Sequence, residues 1–126
     1  MTGAPGVRRL KSYAAQTGFV YEYGYEGRRP YRMHRGETGS EYVFRVSNGG
    51  KSARPVSVFV ADAALRSWEQ AHARALTATE QYAIAKMALF QAFDERATPV
   101  LMKQAVRVRP ADVTAILETL GIERED

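Results

Sequence analysis

Apolar and polar positions alternate in three stretches of the first half of the chain and then change to a helical rhythm. From Phe19 to Glu26, the residues Phe19, Tyr21, Tyr23 and Tyr25 fall on one side and Val20, Glu22, Gly24 and Glu26 on the other, which is a strand with an aromatic face. Glu41 to Ser47 sets Tyr42, Phe44 and Val46 opposite Glu41, Val43 and Arg45, and Pro55 to Ala61 sets Val56, Val58 and Val60 opposite Ser57 and Phe59. Between these two runs lies SNGGKS, whose Asn48-Gly49 step is a hairpin signal because both residues tolerate positive φ. The pattern predicts an antiparallel meander of three or four strands over about 19–60, with Pro30 to Arg35 as the fourth strand.

Helical spacing governs the rest. Upstream, Val7, Leu10, Tyr13 and Ala14 predict a short N-terminal helix over Val7 to Gln16 closed by Gly18, although Arg8, Arg9 and Lys11 would oppose the helix dipole in its first turn. After the meander, Asp62 stands where a helix N-cap belongs, and Leu65, Trp68, Ala71 and Ala75 would line one side of that helix. Thr77 to Glu80 has the capping-box form, and the following QYAIAKMALFQAFDER is apolar around most of its circumference, as in a helix buried on more than one side. Pro99 ends it. VLMKQAVRV fits either a short helical turn or a strand, with Val106 and Val108 favouring extended backbone at its end. Pro110 opens a last helix with Val113, Ile116, Leu117 and Leu120 on one face and Gly121-Ile122 as its C-terminal cap. Strands first and helices after make an α+β domain, with helices packed on one face of an antiparallel sheet, one short N-terminal helix and three C-terminal helical segments.

Length and composition sharpen this picture. A chain of 126 residues fits one domain, 1–126, with residues 1–6 and 123–126 as flexible ends, and its 45% apolar and 25% charged content is that of a folding sequence. The absence of cysteine removes disulfides, thiolate catalysis and cysteine-based metal sites. MTGAPGVRRL has no apolar core behind its arginines, so the expectation is a cytoplasmic protein without a membrane partner.

Motifs for chemistry are sparse. GGKS at Gly49 to Ser52 matches the end of a phosphate-binding P-loop, but Arg45 stands where the motif needs glycine, and a strand follows in place of a helix. His34 and His72 belong to no metal-ligand pair. The carboxylate pairs Glu22/Glu26 and Asp94/Glu95 lack a surrounding motif, so no catalytic residue, metal or cofactor is assigned, and an enzyme with a site built only by the fold is the third-ranked reading.

Charge is unevenly spread. Residues 1–55 hold ten Lys and Arg against four Glu, a balance of +6, whereas residues 56–126 hold eight against ten, a balance of −2. The stretch GFVYEYGYEGRRPYRMHRG concentrates four tyrosines and four arginines. Flat rings stack on unpaired bases, worth about 1 to 3 kcal/mol per base, while arginines neutralise phosphates. Core packing is the favoured reading of Tyr21, Tyr23 and Tyr25, because Glu22 and Glu26 leave only the aromatic side of that strand to be buried; stacking by Tyr21, Tyr23, Tyr25 and Tyr31 is the alternative.

The functional expectation therefore rests on Arg28, Arg29, Arg32 and Arg35 in a basic turn, with Lys51 and Arg54 as outlying contributors, binding nucleic acid or an acidic protein surface. The order helix, three strands, helix resembles the double-stranded-RNA-binding domain in topology alone; ADAALRSWEQ carries only Arg66 where that family has a run of lysines. The competing expectation is a protein-interaction or homo-oligomerisation module using the sheet edge or the apolar helix 80–95.

Overall fold

One strand of thirteen residues, Val20–Arg32 (β2), runs the length of the molecule in the computed structural model, which describes residues 10–33, 35–50 and 52–122. It pairs on one side with the short strand Lys11–Ala14 (β1) and on the other with Thr38–Asn48 (β3), which in turn pairs with Arg54–Ala61 (β4). These pairings are all antiparallel. A fifth strand, Val106–Val108 (β5), joins β4 in parallel. A parallel neighbour needs a long crossover, and the helices Asp62–His72 (α1) and Ala78–Glu95 (α2) with a 3-10 turn, Pro99–Lys103, supply it. The helix Pro110–Leu120 (α3) closes the chain.

Alternation fixes which face is covered. Tyr21 and Tyr23 of β2, Tyr42, Phe44 and Val46 of β3, and Val56, Val58 and Val60 of β4 are all buried on the helix side. Against them α2 lays Ile84, Leu89 and Phe93; α1, with Trp68, also packs on β3 and β4, and α3, with Ile116 and Leu117, packs against both helices. The rings interlock: Tyr21 stacks on Phe93 at 4.2 Å, and Tyr23 meets Phe90 edge-on at 5.3 Å. Each such ring removes roughly 150 to 250 Å² from water, so this aromatic layer supplies much of the core. The apolar residues of α2 pack on the sheet and against α3, with Tyr82, Met87 and Phe90 half-buried. Its start is closed by the capping box, with Thr77 Oγ1 accepting from the Glu80 amide at 3.1 Å and Glu80 accepting from the Thr77 amide at 3.0 Å.

Several expectations are corrected. In the described part of the N-terminal stretch there is a strand in place of the helix, because Tyr13 turns inward to stack on Phe90 at 4.4 Å and to donate a 2.7 Å hydrogen bond to Asp94 Oδ2. Asp94 also accepts from the Gln16 amide at 2.9 Å, so this helix-end carboxylate fastens β1 to α2. The likeness to the double-stranded-RNA-binding order falls with that helix. Gly18, at φ 99°, completes a three-residue hairpin in place of a helix cap. Residues 7–9 of the predicted helix, and the ends 1–6 and 123–126, lie outside the described residues.

The meander is longer and mixed. Pro30 to Arg32 continue β2 and form no separate fourth strand, and the sheet has five strands because residues 11–14 add β1 and residues 106–108 add β5. Residues 99–108 are thus both things that sequence allowed, a 3-10 turn and then a strand. At the β3–β4 turn the positive φ values belong to Gly49 and Gly50, while Asn48 stays in β3 and donates from Nδ2 to the Val20 carbonyl at 3.1 Å. Asp62 is the first helical residue and not the cap; its carboxylate accepts from Thr38 Oγ1 at 2.8 Å. Ala71 and Ala75 are exposed, since α1 ends at His72 with Ala73 in the left-handed region.

Candidate functional site

The register of β2 against β3 changes once. Tyr25 stands opposite Phe44 and Gly27 opposite Val43, so Glu26 is an extra residue, a β-bulge. Up to Tyr25 the odd-numbered residues face the helices. Beyond the bulge the even-numbered ones do: Arg28 stands opposite Tyr42 and Arg32 opposite Thr38, whereas Arg29 opposes Glu41 and Tyr31 opposes Gly39 on the face without helices. A single inserted residue therefore moves Tyr31 out of the tyrosine ladder and onto the open side of the sheet.

There Tyr31 packs against β3 at Gly39. A Cβ at Gly39 would come within 2.7 and 2.8 Å of Tyr31 Cε2 and Cζ and would also strike the Val60 carbonyl, so this close approach requires glycine. Tyr31 meets Phe59 of β4 edge-on, with centroids 5.1 Å apart and planes at 88°. The Arg107 guanidinium of β5 sits 4.9 Å over the Phe59 ring, a cation-π contact. Tyr31 donates to Glu37 Oε2 at 2.8 Å; burial first, and then this carboxylate, push its hydroxyl up to about 12, so it is a neutral donor at any physiological pH.

Next to this pair the open face is neutralised from within. Arg29 binds Glu41 through Nε at 2.7 Å and Nη2 at 3.3 Å, and Ser57 Oγ donates to the same carboxylate. The hydrogen bond from Arg29 holds Glu41 below the usual carboxylate range; burial opposes it and Ser57 assists it. Further along, Arg45 pairs with Glu26 at 2.7 Å and Ser47 donates to Glu22 at 3.4 Å. Glu22 and Glu26, weighed above as a carboxylate pair, are thus partners of neighbouring strands.

The residues singled out in the sequence separate into three groups. Tyr21 and Tyr23 are core, and Tyr25 is half-buried against Tyr82 at 4.8 Å. Arg29 is committed to Glu41. Arg28, Arg32 and Arg35 are exposed and form no ion pair among the described residues. Arg28, Arg29 and Arg32 belong to β2 and only Arg35 to the turn, so the basic turn expected at 28–35 is mostly strand. Arg28 borders a shallow groove of about 300 Å³ with Tyr25, Tyr42 and Tyr82. Arg54 lies at the opposite end of the sheet, and His34 and Lys51 fall outside the described residues. His72 stacks on Trp68 at 4.1 Å, a structural role.

Gly39, Phe59 and Arg107 were not singled out from sequence as site residues. The available signal was Phe59, the one large ring on the polar side of its strand. Among the described residues no cluster of three or more His, Asp or Glu is placed to hold a metal, and no helix is long and apolar enough to cross a membrane. No family model, curated protein or solved structure matches the chain.

Proposed function

We propose that the protein binds single-stranded nucleic acid at the end of the sheet formed by the second half of β2. The observation that carries this reading is the bulge at Glu26, which sets Tyr31 beside Phe59 on the open face, with the Arg107 guanidinium over the Phe59 ring. Tyr31 packs against Gly39 and is only half-buried, so part of its ring remains accessible to an unpaired base. Arg28 and Arg32 leave the opposite face of this stretch of β2, whose edge β1 does not cover, and with Arg35 in the turn they supply phosphate contacts around that edge, being exposed and without carboxylate partners among the described residues. Arg29 contributes little, because binding phosphate would strip Glu41 of its partner. A single strand is favoured over a duplex because stacking needs bases that are not already paired.

Anisotropy titration of a labelled oligothymidylate over a range of salt concentrations tests this. Affinity falls steeply with salt, and each of Arg28→Ala, Arg32→Ala and Arg35→Ala flattens the log–log slope by about 0.7, the value for one phosphate contact on a single strand. Tyr31→Ala weakens binding at every salt concentration without changing the slope. No binding at low salt, or binding indifferent to these four substitutions, refutes the proposal.

A further inference from the structure

We propose that the nucleic-acid strand bound at Tyr31 turns around the uncovered edge of β2 and lodges a further nucleotide on the helix side, in the groove lined by Tyr25, Tyr42, Tyr82 and Arg28. This subsite rests on the reading of the protein as a single-strand binder. It adds a second base position and a path between the two faces of the sheet.

The path is set by the edge. β1 pairs with β2 only from Val20 to Tyr23, so among the described residues the stretch Gly24 to Arg32 has β3 on one side and no strand on the other. Pro30, which lacks an amide hydrogen, suits an edge to which no further strand is added. Arg28 borders hollows on both sides of this edge. One is the tyrosine groove, and the other, of about 270 Å³, is lined by Glu26, Gly27, Arg29 and Val43, of which Arg29 lies on the open face. In that second hollow Arg29 is held by Glu41, and Glu26 holds Arg45. Arg28 has no ion pair among the described residues, so it is the charge left for a phosphate where the strand passes from one face to the other.

The groove itself is aromatic. Arg28 stands directly opposite Tyr42 in the β2–β3 register. Tyr25 and Tyr82 meet at 4.8 Å with their planes at 62°, which makes a corner of two flat walls. Tyr42, 2% exposed, is the most enclosed of the three rings, 6.4 Å from Tyr25 and 6.5 Å from Tyr82. Tyr25 and Tyr82 are half-buried, so both keep ring surface at the groove. Ala78 and Thr79, exposed in the first turn of α2, complete the lining, and no carboxylate belongs to it among the described residues. Rings beside an uncommitted guanidinium, with no acid to repel an anion, complement a nucleotide whose base lies against the rings and whose phosphate meets Arg28.

The probe is a thymidine octanucleotide carrying 5-iodouracil, irradiated in complex with the full chain and mapped by mass spectrometry of the tryptic peptides. Crosslinks are expected on the peptide that holds Tyr25 or the one that holds Tyr82, as well as on the one that holds Tyr31. In anisotropy titrations of the same octanucleotide, Tyr82→Leu lowers affinity roughly ten-fold, the scale of one base stack. Thr79→Glu, which sets a negative charge at the groove, also lowers affinity. Its fold is safe, because the position is exposed and the first turn of a helix favours an acidic residue, so its melting temperature is maintained. Crosslinks confined to the Tyr31 peptide, or affinities that fall with Tyr31→Ala but ignore Tyr82→Leu and Thr79→Glu, overturn the subsite and leave the open-face reading in place. No binding of the octanucleotide at low salt overturns both.

Discussion

The two halves of β2 are written in similar residues and have opposite fates. Before the bulge, Tyr21 and Tyr23 are sealed beneath α2 against Phe93 and Phe90; after it, Tyr31 lies on the open face beside Phe59, over which Arg107 sits. Nothing in tyrosine chemistry distinguishes them. The difference is one residue of register at Glu26, which exchanges the faces of every side chain beyond it. A composition rich in Tyr and Arg therefore does not define a binding platform until the register is known, and Tyr21 and Tyr23 are then seen to belong to the core.

Truncation gives the sharpest contrast between the halves. Tyr21→Ala removes a fully buried ring stacked on Phe93 and is expected to lower stability by about 3 to 5 kcal/mol in urea unfolding. Tyr31→Ala, which uncovers Gly39 but opens no cavity in the core, is expected to cost about 1 kcal/mol. Equal losses would mean that Tyr31 is a core residue after all.

Deleting Glu26 removes the extra residue and restores uninterrupted alternation, sending Tyr31 toward the helix side and Arg28 toward the open face. We expect a loss of about 2 to 3 kcal/mol together with loss of oligonucleotide affinity, read by unfolding and by anisotropy on the same protein. Gly39→Ala is the next smaller change. Its new methyl group collides with the Tyr31 ring and with the Val60 carbonyl, so a cost of about 1 to 3 kcal/mol is expected from thermal unfolding. Combining it with Tyr31→Ala relieves only the ring part of the clash.

The smallest effect concerns the neutralised part of the open face. Arg29 and Ser57 lower the pKa of Glu41, so the folded state gives up this proton more readily than the unfolded chain. The stabilisation from the pair is complete above the unfolded value of about 4.3 and is lost as pH falls through the lower folded value. Glu41→Gln should cost about 1 kcal/mol at neutral pH, a modest figure because Arg29 is 69% exposed, and should flatten the acid side of the stability profile. An unchanged acid profile would show that the pair contributes nothing.

The alternation of Tyr21 and Tyr23, of Tyr42 to Val46 and of Val56 to Val60 was readable because each run carries its own period, and the capping box at Thr77 and Glu80 is equally local. The N-terminal segment was misread because Leu10, Tyr13 and Ala14 fit a helix as well as a strand. The contact that decides, Tyr13 with Asp94, spans 81 positions of sequence. The bulge is hidden for a related reason: an extra residue in β2 has meaning only against β3. Likewise the parallel pairing of Val106–Val108 with β4 depends on a crossover made by two helices, which three residues cannot announce. Arg28, Arg32 and Arg35 could be selected from sequence as unabsorbed charges, but the commitment of Arg29 to Glu41 could not.

Photochemically induced nuclear polarisation of tyrosine rings, recorded with and without oligothymidylate, tests the division of β2 directly. Tyr31 is expected to be polarised, with a signal that disappears when the oligonucleotide is added, while Tyr21 and Tyr23 stay silent throughout. A polarised Tyr21 or Tyr23, or a Tyr31 signal untouched by saturating oligonucleotide, would contradict it.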